Sequence, residues 1–301
     1  LYSENIGLAQ MGEVPLVIVD CQRMGPATGG ATTTGDGDVL FARYVTAGGF
    51  PLPVLAATDA GSAFRLTYEA FNIAERLRTP VIVLASKDIS LTRQTVDVEA
   101  IPAEGGSPLV TRRLAPPDEP FRPYAADEGA EAPAFAPIGG RQRVRFTGSI
   151  HDENGVLTID RGKIARKLSH LREKITRHAE SLEDVDADLD LKAETLVISY
   201  GAADGAAREA VEALRAAGTR VSHLTIYSLW PVPRRALRRA VTPRVRRVIV
   251  PELNIGLYSE VLRGFVGDAA VESVLCFDGR LIPPDLIVRQ VLAPSTDRTA
   301  D

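Results

Sequence analysis

Short runs that are apolar at every position and rich in β-branched residues recur along this chain, and segments of helical period separate them. PLVIV (15–19), LPVLAAT (52–58) and PVIVLAS (80–86) read as strands, the first of them as a buried strand. DAGSAFRLTYEAFNIAERLRT (59–79) reads as a helix with Asp59 at its N-cap. Phe64, Tyr68, Phe71 and Leu77 roughly follow one side of it, the side expected to pack on a sheet. Strands that alternate with helices imply parallel sheets with crossover connections, and strands without a polar face agree, because a parallel sheet is covered on both sides. The first residues, LYSENIGLAQMG, already read as helix and begin with Leu1, so the sequence reads as starting inside a domain.

From about residue 99 the period dissolves into a stretch dense in Pro, Gly and Ala, which closes a first domain at residues 1–140. A connecting segment, 141–192, carries an amphipathic helix in which Ile164, Leu168, Leu171 and Ile175 recur at helical spacing. Residues 193–301 then alternate strand and helix through TLVIS, DGAAREAVEALRAAG, RVSHLTIYSL, RRALRRAV, RRVIVPE, GLYSEVLRGF, VESVLCF and a last helix from about Asp285, with Gly218 ending one helix ahead of its strand. The fold class is α/β with two doubly wound domains.

A length of 301 residues, 45% hydrophobic and 25% charged, suits two globular domains. Lys+Arg of 35 against Asp+Glu of 39 leaves a net charge of −4, and the basic run RRALRRAVTPRVRR (234–247) reads as a solvated helix face and turn, so nucleic acid is not the expected partner. Cys21 and Cys276 stand far apart, and neither lies among histidines, so no iron–sulfur or zinc site is expected in this chain and no metal ligand is assigned. No apolar run approaches the roughly 18 residues of a membrane span, and no signal segment opens the sequence, so cytoplasm is the expected compartment.

One segment does not serve a core. DCQRMGPATGGATTTGDGD (20–38) leaves PLVIV as a long Gly- and Thr-rich loop with Arg23 at its mouth. Glycine lets a backbone approach a small ligand, and a guanidinium presents two parallel donors that match a planar carboxylate. Phosphate cradling is the rival use, but neither GxGxxG nor a Walker pattern is present. Together with LTYEAFNIAERLRTPVIVLASK, RFTGSIHDENG and VSHLTIYSLWPVP, the series SENIGLAQMGEVPLVIVDCQRMGPATGGATTTGDGD resembles the α subunit of the 2-oxoacid:ferredoxin oxidoreductases, particularly the 2-oxoglutarate type.

The resemblance implies a first domain like the pyrimidine-binding domain of thiamine diphosphate enzymes, truncated here, and a second like the transketolase C-terminal domain. It implies coenzyme-A-dependent oxidative decarboxylation of a 2-oxoacid. A β subunit carries thiamine diphosphate, magnesium and an iron–sulfur cluster, ferredoxin accepts the electrons, and a γ subunit or domain and a second α copy are further candidates. Arg23 matches the family's substrate-binding arginine; Thr28 and Thr32 match threonines near the substrate, and Gly25, Pro26, Gly29 and Gly30 shape the loop. The family's YPITP-like segment and its cofactor-activating glutamate have no counterpart, so no catalytic residue is assigned. RMGPATGGATTT also departs from the commoner RGGPSTGLPT, which leaves the identity of the 2-oxoacid open. His151, beside Asp152 and Glu153, could serve as acid or base, but a structural histidine is the expectation; His223 in an apolar strand is expected to be structural, Thr33 can merely shape a turn, and a small buried residue accounts for Cys21. A transketolase-like thiamine enzyme and a non-catalytic interaction subunit are the alternatives.

Overall fold

The computed structural model describes residues 2–97, 108–117, 119–125 and 132–294. Much of the Pro- and Gly-rich stretch beyond residue 99 lies outside them. The first part of the chain runs α1 (Tyr2–Met11), β1 (Leu16–Gln22), α2 (Val39–Tyr44), β2 (Val54–Ala56), α3 (Ala60–Leu77), β3 (Pro80–Ser86) and the short α4 (Lys87–Leu91). After α5 (Arg161–Thr176) come β4 (Val185–Asp188), β5 (Thr195–Ser199), α6 (Ala203–Ala216), β6 (Val221–Ile226), β7 (Ser228–Trp230), α7 (Arg234–Ala240), β8 (Arg247–Glu252), α8 (Leu257–Leu262), β9 (Ala270–Leu275) and α9 (Pro284–Leu292).

Two sheets result, ordered β1-β3-β2-β7 and β4-β6-β5-β8-β9. The pairs β1·β3, β2·β3, β5·β6, β5·β8 and β8·β9 are parallel, while β4 and β7 close their sheets as antiparallel edges. The run RVSHLTIYSL divides after Ile226: β6 stays in the second sheet, and β7 crosses to pair with β2 of the first. A strand before residue 193, β4, belongs to the second sheet. The sheets also share a core: Ile18, Val54, Ile82 and Leu84 of the first join Leu196, Ile198, Leu224 and Val248 of the second, with α2, α7 and α8 packed between. The outer face of the first sheet is covered by α3 and Ile175 of α5, and that of the second by α6 and α9.

Three expectations about faces are corrected. The packed side of α3 is Leu66, Ala70, Ile73, Ala74 and Leu77, while Phe64 and Phe71 stand 54% and 56% exposed. Leu66, Ala70, Ile73 and Leu77 form the i, i+4, i+7, i+11 stripe, and the small alanines let the helix lie close on the strands. β1 is an edge strand, not a buried one, with Leu16 and Val19 40% and 54% exposed. Cys21 shares the outer side of that edge with Val19 and is exposed, so burial does not explain it.

The charged face of α5 is not solvated throughout. Glu13, fully buried in the turn between α1 and β1, accepts from Lys167 Nζ at 2.5 Å, His170 Nε2 at 2.8 Å and Lys174 Nζ at 3.0 Å. Arg78, the left-handed C-cap of α3, donates to the Glu13 carbonyl at 3.0 Å and to the Pro123, Pro133 and Ala134 carbonyls. This hub ties α1, α3 and α5 to Pro123, Pro133 and Ala134. In the second domain, Ser199 Oγ lies 2.6 Å from Asp204 Oδ1 and 2.7 Å from His223 Nε2, all three buried, so Ser199 fastens α6 to the sheet and His223 of β6 braces it from the neighbouring strand. In the basic run, Arg235 pairs with Glu183, Arg238 with Glu180 and Arg247 with Glu272.

Candidate substrate site

The loop departs from the carboxyl end of β1, where Gln22 is aligned with Ser86 of β3, and Gln22 Oε1 accepts from the Asp38 amide at 3.0 Å, drawing the loop's two ends together. A backbone bridge pairs Met24 with Gly30, whose amide donates to the Met24 carbonyl at 3.0 Å. The Thr33 amide and hydroxyl both donate to the Gly30 carbonyl, at 3.0 and 2.6 Å, and add a second turn. Residues 25–29 therefore project as a pinched-off tip that includes the cis Gly25–Pro26 peptide. Gly29 is required by the pinch: its φ is +50°, and a Cβ would lie 1.9 Å from the Met24 carbonyl oxygen. At Gly30 a Cβ would meet the Thr33 hydroxyl at 2.0 Å, whereas nothing lies within 4 Å of one on Gly25.

Arg23 is exposed at the base of the pinch and makes no hydrogen bond or ion pair with any described residue. Thr32, on the other limb, is exposed and left-handed with a φ of 68°, and Thr28 is exposed at the tip. The three side chains thus belong to one exposed loop; Arg23 and Thr32 flank the pinch, and Thr28 lies beyond it. Two carboxyls stand at the loop's ends. Burial pushes Asp38 up while the Arg23 charge pulls it down, and burial followed by the Asp38 charge raises Asp20 to about 6. Both hold protons more readily than surface acids. An unpaired guanidinium beside them can take an anion in bidentate fashion.

The loop does not rest on the first domain alone. The Asp36 amide donates to the Leu253 carbonyl at 2.9 Å, the Asp36 carbonyl accepts from Asn254 Nδ2 at 2.9 Å, and Asp36 Oδ2 accepts from the Ala202 amide at 3.4 Å. A Cβ on Gly279 would lie 3.0 Å from the Thr33 Cβ, so the second turn is packed against the segment after β9. The loop is seated on the carboxyl ends of β5, β8 and β9. Nothing local in the sequence signals this, since Asn254 lies 218 positions from Asp36.

His151 is fully buried, with Nδ1 2.8 Å from the Ser149 carbonyl oxygen and its ring 4.2 Å from that of Tyr124. Burial lowers its pKa. Asp152 turns away to Lys163 and to the amides of Asn154 and Val156, so no acid–base dyad forms. His151, Tyr124 and Lys163 line a cavity of about 430 Å³ that includes no residue of the 20–38 loop.

The pyruvate flavodoxin/ferredoxin oxidoreductase, thiamine diphosphate-binding family model matches residues 1–169, and that of pyruvate:ferredoxin oxidoreductase core domain II matches residues 193–287. Fold and loop thus define a two-domain core of the flavodoxin- and ferredoxin-linked oxidoreductases. A 2-oxoglutarate synthase subunit KorA of Methanothermobacter thermautotrophicus is 33% identical over 97% of this chain and 77% of its own length. A 2-oxoglutarate oxidoreductase subunit KorA of Mycobacterium tuberculosis is 35% identical over 100% of this chain and 45% of its own. The 2-oxoglutarate:ferredoxin oxidoreductase of Magnetococcus marinus, solved with 2-oxoglutarate, coenzyme A and succinyl-CoA bound, superposes with a TM-score of 0.82 at 26% identity, over 96% of this chain and 50% of that one. The chain belongs to the 2-oxoacid:ferredoxin oxidoreductase family, as an α subunit.

Proposed function

We propose that this chain supplies the substrate-carboxylate site for coenzyme-A-dependent oxidative decarboxylation of a 2-oxoacid in the cytoplasm, with 2-oxoglutarate the favoured substrate. The observation that carries the proposal is Arg23, exposed and unpaired at the mouth of a loop built by backbone constraints. Its guanidinium fits the planar carboxylate of a 2-oxoacid, and its charge cannot be removed by pH. The Thr28 and Thr32 hydroxyls add donors, and Gly25, Pro26, Gly29 and Gly30 keep the loop narrow beside the substrate. The relatives' names and the ligands of the Magnetococcus marinus enzyme favour 2-oxoglutarate and coenzyme A.

The described residues include no group of three or more His, Cys, Asp or Glu side chains that could hold a metal ion. The thiamine diphosphate-binding family model over residues 1–169 supports a cofactor shared between this chain and a β partner that holds most of it together with magnesium; the partner would also carry an iron–sulfur cluster, with ferredoxin as acceptor, and a γ subunit or domain and a second α copy would complete the assembly. When bound, the cofactor supplies the nucleophilic carbon and the electron sink for loss of carbon dioxide. This chain's part is to orient the carboxylate and keep water from it. The exposed apolar edge of β1, with Leu16 and Val19, suits a surface that a partner covers.

The test is Arg23→Ala and Arg23→Lys in the complex reconstituted with its β partner. A charge-assisted bidentate pair contributes roughly 2 to 4 kcal/mol, so Arg23→Ala should lower kcat/KM for the 2-oxoacid on the order of 30- to 1000-fold, and lysine should restore only part of it. The melting temperature should stay unchanged, since Arg23 has no hydrogen-bond or ion-pair partner among the described residues. A loss within about threefold refutes the carboxylate clamp.

A further inference from the structure

Asp36 is 1% exposed, whereas Arg23, Thr28 and Thr32 of the same loop are at the surface. Burying a carboxyl is costly unless it is satisfied, yet among the described residues Asp36 Oδ2 has only the long bond from the Ala202 amide, Oδ1 has no partner, and neither oxygen pairs with a cation. The place it occupies is specific. In the order β4-β6-β5-β8-β9 the connections reverse direction between β5 and β8, and the crevice outside the carboxyl ends of those strands is where doubly wound domains hold ligands. Here the chain's own loop fills it. Gly201, after β5, has a φ of +57°, and a Cβ there would stand 2.6 Å from Asp36 Oδ2. Asn254, after β8, grips the Asp36 carbonyl and is itself fixed by Tyr200 and by the amides of Gly256 and Leu257.

We propose that Asp36 is the positioning residue of the substrate loop: seated in the crevice between β5 and β8, it holds the loop where Arg23 can receive a carboxylate. The kinetic consequence rests on the 2-oxoacid reading of the loop; the docking does not. The titratable groups around Asp36 are Asp38 on the loop, Asp88 on α4, Glu252 at the end of β8 and Tyr200 beyond β5. Burial, with the charges of Asp88, Glu252 and Asp38, raises its carboxyl to about 7. The seated form is accordingly the protonated one, and its ionisation places a charge among like charges in a closed crevice. The loop should loosen as pH rises through that value.

The experiment uses the full chain in complex with its partner subunit and compares wild type with Asp36→Asn, Asp36→Ala and Gly201→Ala. Exchange protection of the Gly30 and Thr33 amides, corrected for the intrinsic pH dependence, reports the loop without any substrate. In wild type, protection should fall about tenfold between pH 6 and pH 8.5 and level off above the midpoint near 7, as linkage between a seated carboxyl near 7 and a free one at its ordinary value of 3.8 requires. Asp36→Asn, which cannot ionise, should stay protected at both pH values, and Asp36→Ala and Gly201→Ala should be unprotected at both. KM for 2-oxoglutarate should follow the same order, rising at least tenfold where protection is lost, with kcat within threefold, which a merely structural role would not produce. Wild-type pH dependence in Asp36→Asn, or wild-type protection in Gly201→Ala, overturns the proposal even if Asp36→Ala does not fold. If protection responds as expected and the 2-oxoacid KM does not, the anchor stands and the substrate reading fails.

Discussion

Replacing Glu13 by glutamine tests the buried hub most sharply, because one carboxylate there answers two lysines and a histidine. Lys167 and Lys174 have side chains 5% and 2% exposed, and both bond to Glu13. Removing one partner of a buried ion pair typically costs about 3 to 5 kcal/mol, because the remaining charge stays desolvated. At roughly 2 to 4 °C per kcal/mol for a chain of this size, Glu13→Gln should lower the melting temperature by about 6 to 20 °C at pH 7. The pH dependence identifies the cause. Burial drives Lys174 from its ordinary 10.5 down to about 8 even with Glu13 beside it, so between those values the unfolded chain binds more protons than the folded one, and stability rises with pH. The cost of keeping Lys174 charged is fully present below about pH 8. Without Glu13 the lysine loses its proton more readily still, so the gap between variant and wild type should narrow by pH 9. Glu13 itself is held well below the ordinary carboxylate range by Lys174, His170 and Lys167 against its burial, so its contribution persists above 4.5 and is lost only in acid. Glu13 also adopts a φ of 50°, so Glu13→Gly, which relieves the backbone and removes the carboxylate, should fall as far as Glu13→Gln or less. Thermal unfolding followed by circular dichroism at pH 7 and pH 9 decides the matter. A drop under about 2 °C at pH 7, or a gap that does not change with pH, refutes the account.

Gly29→Ala should open the Met24–Gly30 pinch, because the left-handed φ and the Met24 carbonyl exclude a Cβ. The expected result is loss of most 2-oxoacid turnover in the reconstituted complex, with a stability cost limited to about 1 to 3 kcal/mol; normal turnover would contradict the loop's role. On α3, Leu66→Ala should cost about 2 to 5 kcal/mol by chemical denaturation, whereas Phe64→Ser and Phe71→Ser should each stay within about 0.5 kcal/mol. The reverse pattern would restore the aromatic face as the packed one.

The order of strands and helices was legible because it is local: period, caps and terminal glycines repeat within ten to twenty residues. Asp59 caps α3 through the Ser62 amide, and Gly218 ends α6 with a φ of +85°, as the sequence implied. What remained hidden depends on partners distant in the chain. The three residues of β7 carry too little pattern to show that they leave one sheet for another. The aromatic content of α3 outweighed its alanines on paper, yet Ala70 and Ala74 are the contacts that let the helix approach. Lys167 and Lys174 look solvated on a helical wheel and are buried because Glu13, more than 150 positions away, meets them. Arg23 stood out through its unusual loop, whereas Asp36 in the same loop did not, since its partners follow β5 and β8.

The seating of that loop changes what the second domain contributes to the proposed chemistry. A doubly wound domain ordinarily offers its switch-point crevice to a ligand, but Asp36 occupies this one, and Gly201, Leu253 and Asn254 serve it with backbone space, an acceptor and a donor. On the proposed reading, the domain would act on a substrate through the first domain's loop. The charge at the mouth follows from the same contacts. Below about pH 6, Asp20 and Asp36 keep their protons and Arg23 dominates; as the pH passes 7, both become charged, and on the proposed reading the field that would attract a dianionic 2-oxoacid weakens while the loop loses its neutral anchor. Attraction and placement would thus decline together, because the buried Asp36 and the half-buried Asp20 lose their protons over the same range.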